Sequence, residues 1–262
     1  MTAIRRWAVV AAVLLLALAG MVALLLVRGG GSSASGRVAA TSSAAPSSAS
    51  TSSATSSSAR SSSATSSSAR PPATPEVVFI GDSWTVGSGA TGSHGFAPLA
   101  AEGLSWDYHL LGIGGSGYLM PGGGGPYMGR VGEAVALHPD LIVVAGSLND
   151  SRADLGRLHE ATANTLMRLR EEAAETTAIL VVGAPNSPWT TPSVIERINQ
   201  DIAAAADAAG VTFVDPVKEN WTDPADPAIW ADELHPNDVG HQRVADALAP
   251  LMQEALDRDR DR

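Results

Sequence analysis

The sequence contains no cysteine. That excludes disulfides, thiolate catalysis, cysteine-based zinc or iron–sulfur sites, and a lipid anchor on an N-terminal cysteine. Acidic residues are absent from the first 75 positions, and all 27 Asp and Glu follow them. The same stretch holds 6 of the 17 Lys and Arg, so the chain from Glu76 on carries 11 bases against 27 acids. A region that acidic is a poor partner for nucleic acid, because phosphate binding needs a basic face. Lysine is nearly missing too, with one against 16 arginines, a bias of composition rather than of physics.

What is present falls into three stretches. Arg5 and Arg6 precede an uncharged run from Trp7 to Val27 that Arg28 closes. As a helix that run measures about 31 Å, enough to cross a hydrocarbon core of about 30 Å. Residues 1–28 therefore read as a transmembrane anchor, or alternatively as a signal peptide cut at a small-residue site such as Val38-Ala39-Ala40. The two arginines favour an inside N-terminus and a chain that continues outside the cytoplasm. Residues 29–75 read as a disordered linker: 35 of the 47 are Ser, Thr or Ala, and Val38 is the only large aliphatic one.

Residues 76–262 read as the working domain. Apolar runs recur at Val77–Ile80, Leu141–Ala145, Ile179–Val182 and Val211–Val214, with a fainter one at Tyr108–Leu111. Runs apolar on both faces suit parallel strands covered by helices on either side. Helical spacing fills the gaps. Leu155, Leu158, Thr162, Leu166 and Leu169 share a face, and Ile198, Ile202 and Ala206 share another. Ser193 to Glu196 fits a capping box after Pro192, Gly210 a stop, and Asn237 a cap for a last helix carrying Val244, Leu248, Leu251 and Leu256. The alternation predicts a three-layer α/β domain with a parallel sheet, whose ligands sit beyond the carboxyl ends of the strands.

Those ends carry four signals: Gly81-Asp82-Ser83-Trp84, Gly112 to Gly117, Gly146-Ser147-Leu148-Asn149-Asp150, and Asp232-Glu233-Leu234-His235. Ser83 stands where a strand-to-helix turn exposes a nucleophilic hydroxyl, near a helix N-terminus that favours negative charge. Asp232 precedes His235 by three residues, so one helical turn would bring its carboxylate to the imidazole. Each string alone is weak. Together, and in this order, they resemble the SGNH (GDSL-type) hydrolases over Glu76 to about Met252.

The resemblance implies a flavodoxin-like α/β/α fold with a central parallel sheet of about five strands. It also implies a serine esterase that needs no metal or cofactor and acts on a small-molecule, lipid or acylated-glycan ester; the alternatives are an O-acetyl hydrolase or acyltransferase on envelope polysaccharide, or a non-catalytic glycan-binding module on the same fold. Ser83, Asp232 and His235 would form the catalytic triad. The N–H groups of Ser83 and Gly115 and the side chain of Asn149 would form the oxyanion hole. The family's usual Asn before the second motif is Leu110 here, which leaves Gly114, Gly115 and Gly117 as candidate donors. Trp84 and Tyr118 are candidates for contact with the acyl group, or for covering core. The domain is expected to be monomeric and to touch the membrane only through the N-terminal helix.

Two other patterns carry less. Gly112 to Gly117 also fits a dinucleotide fingerprint, but Tyr118-Leu119-Met120-Pro121 follow where a helix should open. His235, Asp238 and His241 have a spacing that a metal could use, although the triad and the last helix account for the same residues.

Overall fold

The computed structural model describes residues 74–260. The proposed anchor, and all but the last two residues of the proposed linker, lie outside them. Five parallel strands form one sheet: β1 (Glu76–Gly81), β2 (Asp107–Gly112), β3 (Leu141–Ala145), β4 (Ala178–Val182) and β5 (Thr212–Val214). Their order is β2-β1-β3-β4-β5. Among the described residues six α-helices accompany them: α1 (Ser83–Val86), α2 (Phe96–Gly103), α3 (Val131–Ala136), α4 (Leu158–Glu172), α5 (Pro192–Ala208) and α6 (Asp238–Arg260).

Alternation along each strand divides the core in two. Val77, Phe79, Leu141, Val143, Leu180 and Val182 face α2 and α6. Val78, Ile80, Ile142, Val144, Ile179 and Val181 face α3, α4 and α5. Both faces are covered, which is why these strands are continuous apolar runs rather than alternating ones. β2 is fainter in sequence because it is an edge strand, with Asp107, His109 and Leu110 exposed.

The helix ends follow local chemistry, with one departure. Asn237 Oδ1 accepts the Gly240 N–H at 3.1 Å and opens α6 as expected. Gly210 follows the end of α5 in the left-handed region, φ 64°. The capping box at Ser193 does not form. Thr191 is the N-cap residue of α5, with no side-chain cap bond, and Pro192 takes the first helical position. Proline is pre-organised for that position and has no N–H to satisfy, so the helix starts ahead of the box. Among the described residues no helix is long and apolar enough to cross a membrane.

The chain leaves β1 toward β2 on one side and returns to β3 on the other. The crevice between the carboxyl ends of β1 and β3 is therefore the switch point, where such sheets take their ligands.

Candidate active site

Ser83 lies just past that end of β1. Asp82 caps the turn, its Oδ1 accepting the Trp84 N–H at 2.9 Å, which turns the chain sharply and leaves Ser83 half-buried at the crevice. α1 is a single turn of 4 residues, so the helix-terminal field expected at Ser83 is small.

His235 comes from the loop before α6. An antiparallel bridge between Trp230 and Pro236 closes that loop, and Trp84 Nε1 donates to the Leu234 carbonyl at 3.1 Å. His235 Nε2 lies 3.0 Å from Ser83 Oγ, and His235 Nδ1 lies 3.0 Å from Asp232 Oδ2. The expected helical turn between Asp232 and His235 is absent. Instead Asp232 Oδ1 accepts the N–H groups of Leu234 and His235, each at 2.7 Å. This Asx-type turn gives the same side-chain proximity without a helix. Partial burial raises the Asp232 carboxyl, but the His235 ring and the two N–H groups outweigh it and hold the group below the usual carboxylate range.

Asn149 enters from the loop after β3. Arg152 Nη2 donates to its Oδ1 at 2.9 Å, which turns its amide nitrogen toward the crevice. There Nδ2 donates to the Ser116 carbonyl at 3.0 Å and faces Asp82 Oδ2 at 3.4 Å. The loop reaches this shape through two left-handed residues, Gly146 (φ 106°) and Ser147 (φ 98°). A Cβ on Gly146 would stand 2.8 Å from Asp82 Oδ2 and 3.1 Å from the Tyr127 hydroxyl, so only glycine fits there. Ser147 holds a conformation that non-glycine residues rarely adopt, as happens at functional turns.

The glycine loop after β2 supplies the remaining donors. Among the described residues, the N–H groups of Ser83, Gly114 and Gly115 have no hydrogen-bond partner. The Gly117 N–H donates to the Met120 carbonyl at 2.8 Å, which removes Gly117 from the candidates. A Cβ on Gly114 would lie 4.0 Å from Ser83 Cβ, so this loop borders the nucleophile.

Two acids to which the sequence pattern assigns no role, Asp150 and Asp82, hold these parts together. Asp150 Oδ2 accepts the Tyr118 N–H at 2.7 Å, and its Oδ1 accepts those of Leu119 and Met120 at 3.0 and 2.8 Å. The Ser147 hydroxyl donates to the same carboxylate. Burial raises the Asp150 carboxyl, against the pull of these donors. Asp82, also buried, is pushed up to about 6, chiefly by desolvation.

Trp84 and Tyr118 are both buried, and each borders a cavity: Trp84 one that Phe96, Val182 and Trp221 also line, Tyr118 one that Leu119, Pro126 and Met128 also line. Trp84 is 5% exposed, packing edge-on against Trp230, and Tyr118 is 3% exposed, tilted on Tyr127. Both rings also pack into the core, Trp84 on the α2 and α6 side and Tyr118 on the other. His241 is buried, its Nδ1 accepting the Phe96 N–H at 3.1 Å and its Nε2 bonded to the Ser88 carbonyl at 3.0 Å. Both ring nitrogens are spent on backbone. Of the other histidines, His94 pairs with Glu102 at 3.1 Å and His109 with Glu76 at 2.7 Å, both at the surface.

Residues 79–243 match the model of the GDSL-like Lipase/Acylhydrolase family. A GDSL lipase of Mycobacterium tuberculosis is 37% identical over 195 residues, spanning 69% of this chain and 82% of the relative. Among solved structures, a lipase/acylhydrolase from Enterococcus faecalis superposes with a TM-score of 0.57 at 16% identity, covering 69% of this chain and 96% of that one. A family two carbohydrate esterase from Clostridium thermocellum, solved in complex with cellohexaose, gives a TM-score of 0.57 at 18% identity over 70% of this chain and 64% of that one. At these identities the structural likeness concerns the fold.

Proposed function

The chain belongs to the GDSL-like lipase/acylhydrolase family of serine hydrolases acting on esters, and from that premise we propose that Ser83 carries the acyl group of an ester substrate outside the cytoplasm. The observation that carries this reading is the pair of 3.0 Å contacts running from Asp232 through His235 to Ser83. His235 Nε2 takes the Ser83 proton as Oγ attacks the ester carbonyl. Asp232 fixes the ring orientation and stabilises the imidazolium. The tetrahedral oxyanion receives the Ser83 and Gly115 N–H groups and the Asn149 amide, whose long contact to Asp82 it replaces. His235 returns the proton to the leaving alcohol. It then deprotonates the water that releases the acid and restores Ser83.

Turnover of p-nitrophenyl acetate by the full chain, abolished in Ser83→Ala, is the expected result. An active Ser83→Ala variant would contradict the assignment. The outside placement rests on the uncharged run after Arg5 and Arg6, with residues 29–75 as tether and 76–262 as the working domain. Protease added to intact cells should release a soluble, active fragment, whereas full protection would place the domain inside.

Trp189 favours a second reading, deacylation or acyl transfer on an envelope polysaccharide. It is 44% exposed, and its backbone N–H donates at 2.8 Å to the carbonyl of Glu233, two residues before His235. A flat apolar face beside the catalytic loop suits a sugar ring. Trp189→Ala would then raise KM for an acetylated oligosaccharide while leaving p-nitrophenyl acetate unaffected.

A further inference from the structure

Arg130 ends a short 3-10 turn, Tyr127–Arg130, and is 5% exposed. Among the described residues its guanidinium meets no carboxylate. Nη1 donates to two carbonyl oxygens, Gly81 at 2.6 Å and Leu111 at 2.8 Å. Nη2 donates to Ser116 Oγ at 2.9 Å, and the Tyr127 ring lies 4.9 Å from Cζ. Nε is buried with no partner.

A buried cation held only by carbonyls, a hydroxyl and a ring is costly, and an apolar side chain would satisfy packing alone at less cost. The groups it holds have one thing in common. Gly81 ends β1 and is followed by the Asp82–Ser83 turn. Leu111 leads out of β2 into the glycine loop. Ser116 lies within that loop; its hydroxyl donates onward to the Ile113 carbonyl at 2.7 Å, and its own carbonyl accepts Asn149 Nδ2 at 3.0 Å. One side chain thus meets two of the three segments bearing oxyanion donors directly, and the third through Ser116.

We propose that Arg130 is a positioning residue for the oxyanion hole, holding the Ser83 turn, the glycine loop and, through Ser116, the Asn149 amide at one fixed spacing. It touches no reacting atom. The planar fork matters, because Nη1 and Nη2 must reach separate segments at once, and a lysine ammonium cannot span them in that geometry. The role rests on the esterase reading above.

A purely structural arginine and a positioning one differ in what their loss does to kinetics. Donors misplaced by a fraction of an ångström weaken the transition state while leaving ground-state binding nearly intact. The test measures kcat and KM on p-nitrophenyl acetate, and inhibition by a trifluoromethyl ketone, which adds to a serine to give a tetrahedral oxyanion. The full-length chain is compared with Arg130→Met, Arg130→Lys and Ser116→Ala, with near-UV circular dichroism reporting the fold. Folded variants should lose about 10- to 10²-fold in kcat, with KM within about twofold. Ketone affinity should fall by the same factor as kcat/KM, and Arg130→Lys should restore little. If Arg130→Met does not fold, Arg130→Lys and Ser116→Ala must show the same split. Unchanged kcat in the folded variants, or a rise in KM alone, overturns the role of Arg130 and leaves the esterase reading standing. A wild-type chain that turns over no ester overturns both.

Discussion

Asp232 spends one carboxylate oxygen on the ring of His235 and the other on the backbone that carries His235, with Oδ2 at 3.0 Å from Nδ1 and Oδ1 at 2.7 Å from the His235 N–H. The same side chain therefore builds the loop and orients the base. Asp232→Asn keeps an acceptor for the backbone and loses the charge that steadies the imidazolium. The Asp232 side chain is 58% exposed, so solvent shares that task. The variant should fold normally and lose about 10²-fold in kcat, less than the ~10⁴ typical of a buried triad acid. Steady-state kinetics on p-nitrophenyl acetate, with circular dichroism as the control, measure both.

Asn149 is gripped at both ends of its amide, by Arg152 at 2.9 Å and by the Ser116 carbonyl at 3.0 Å. Asn149→Ala removes one oxyanion donor and should lower kcat by about 10²–10³-fold with little change in KM. Full activity in that variant would remove Asn149 from the mechanism.

Most of the sheet was legible because β1, β3 and β4 are apolar on both faces, the pattern that a strand covered by helices on either side must have. That Ser83, Asn149 and His235 would meet at one crevice was legible for a related reason: each lies just past a strand end or in the last loop, where this architecture gathers its ligands. The i, i+3 spacing of Asp232 and His235 was correct as proximity and wrong as conformation, since a helical turn and an Asx turn share it. For Trp84 and Tyr118 the sequence left acyl contact and core both open, because residue type and position do not fix which way a ring points. Arg130, and Asp150 in its bond to Tyr118, act on groups 14 to 49 positions away in sequence, a relation that no local pattern encodes.

Asp150 closes three N–H groups of the Tyr118–Met120 stretch. Asp150→Ala leaves these donors without acceptors in a buried place and should destabilise the domain by about 3 kcal/mol. Urea unfolding of the variant against the parent reads this directly. A change within about 0.5 kcal/mol would mean that water replaces the carboxylate.

Asp82 gives stability a distinct pH dependence. Its folded pKa is about 6 against a reference of 3.8, a rise caused mainly by desolvation. The folded state therefore holds a proton that the unfolded chain has lost between those two values. Its contribution is complete below about pH 3.8 and is lost as pH rises through about 6, a difference of roughly 3 kcal/mol. Unfolding free energies at pH 4 and pH 7 should therefore show a smaller pH effect of this sign in Asp82→Asn than in the parent chain. An identical pH response in the two proteins would mean that Asp82 is not desolvated.

The central claim is that His235 activates Ser83, and covalent labelling tests it most directly. A fluorophosphonate probe followed by peptide mapping should place the adduct on Ser83 in the full chain, because a serine without a positioned base reacts poorly with such phosphorus centres. The adduct should be absent in Ser83→Ala and strongly reduced in His235→Ala. Equal labelling of Ser83→Ala would put the nucleophile elsewhere. Undiminished labelling of His235→Ala would show that the 3.0 Å contact between His235 Nε2 and Ser83 Oγ does not activate the serine.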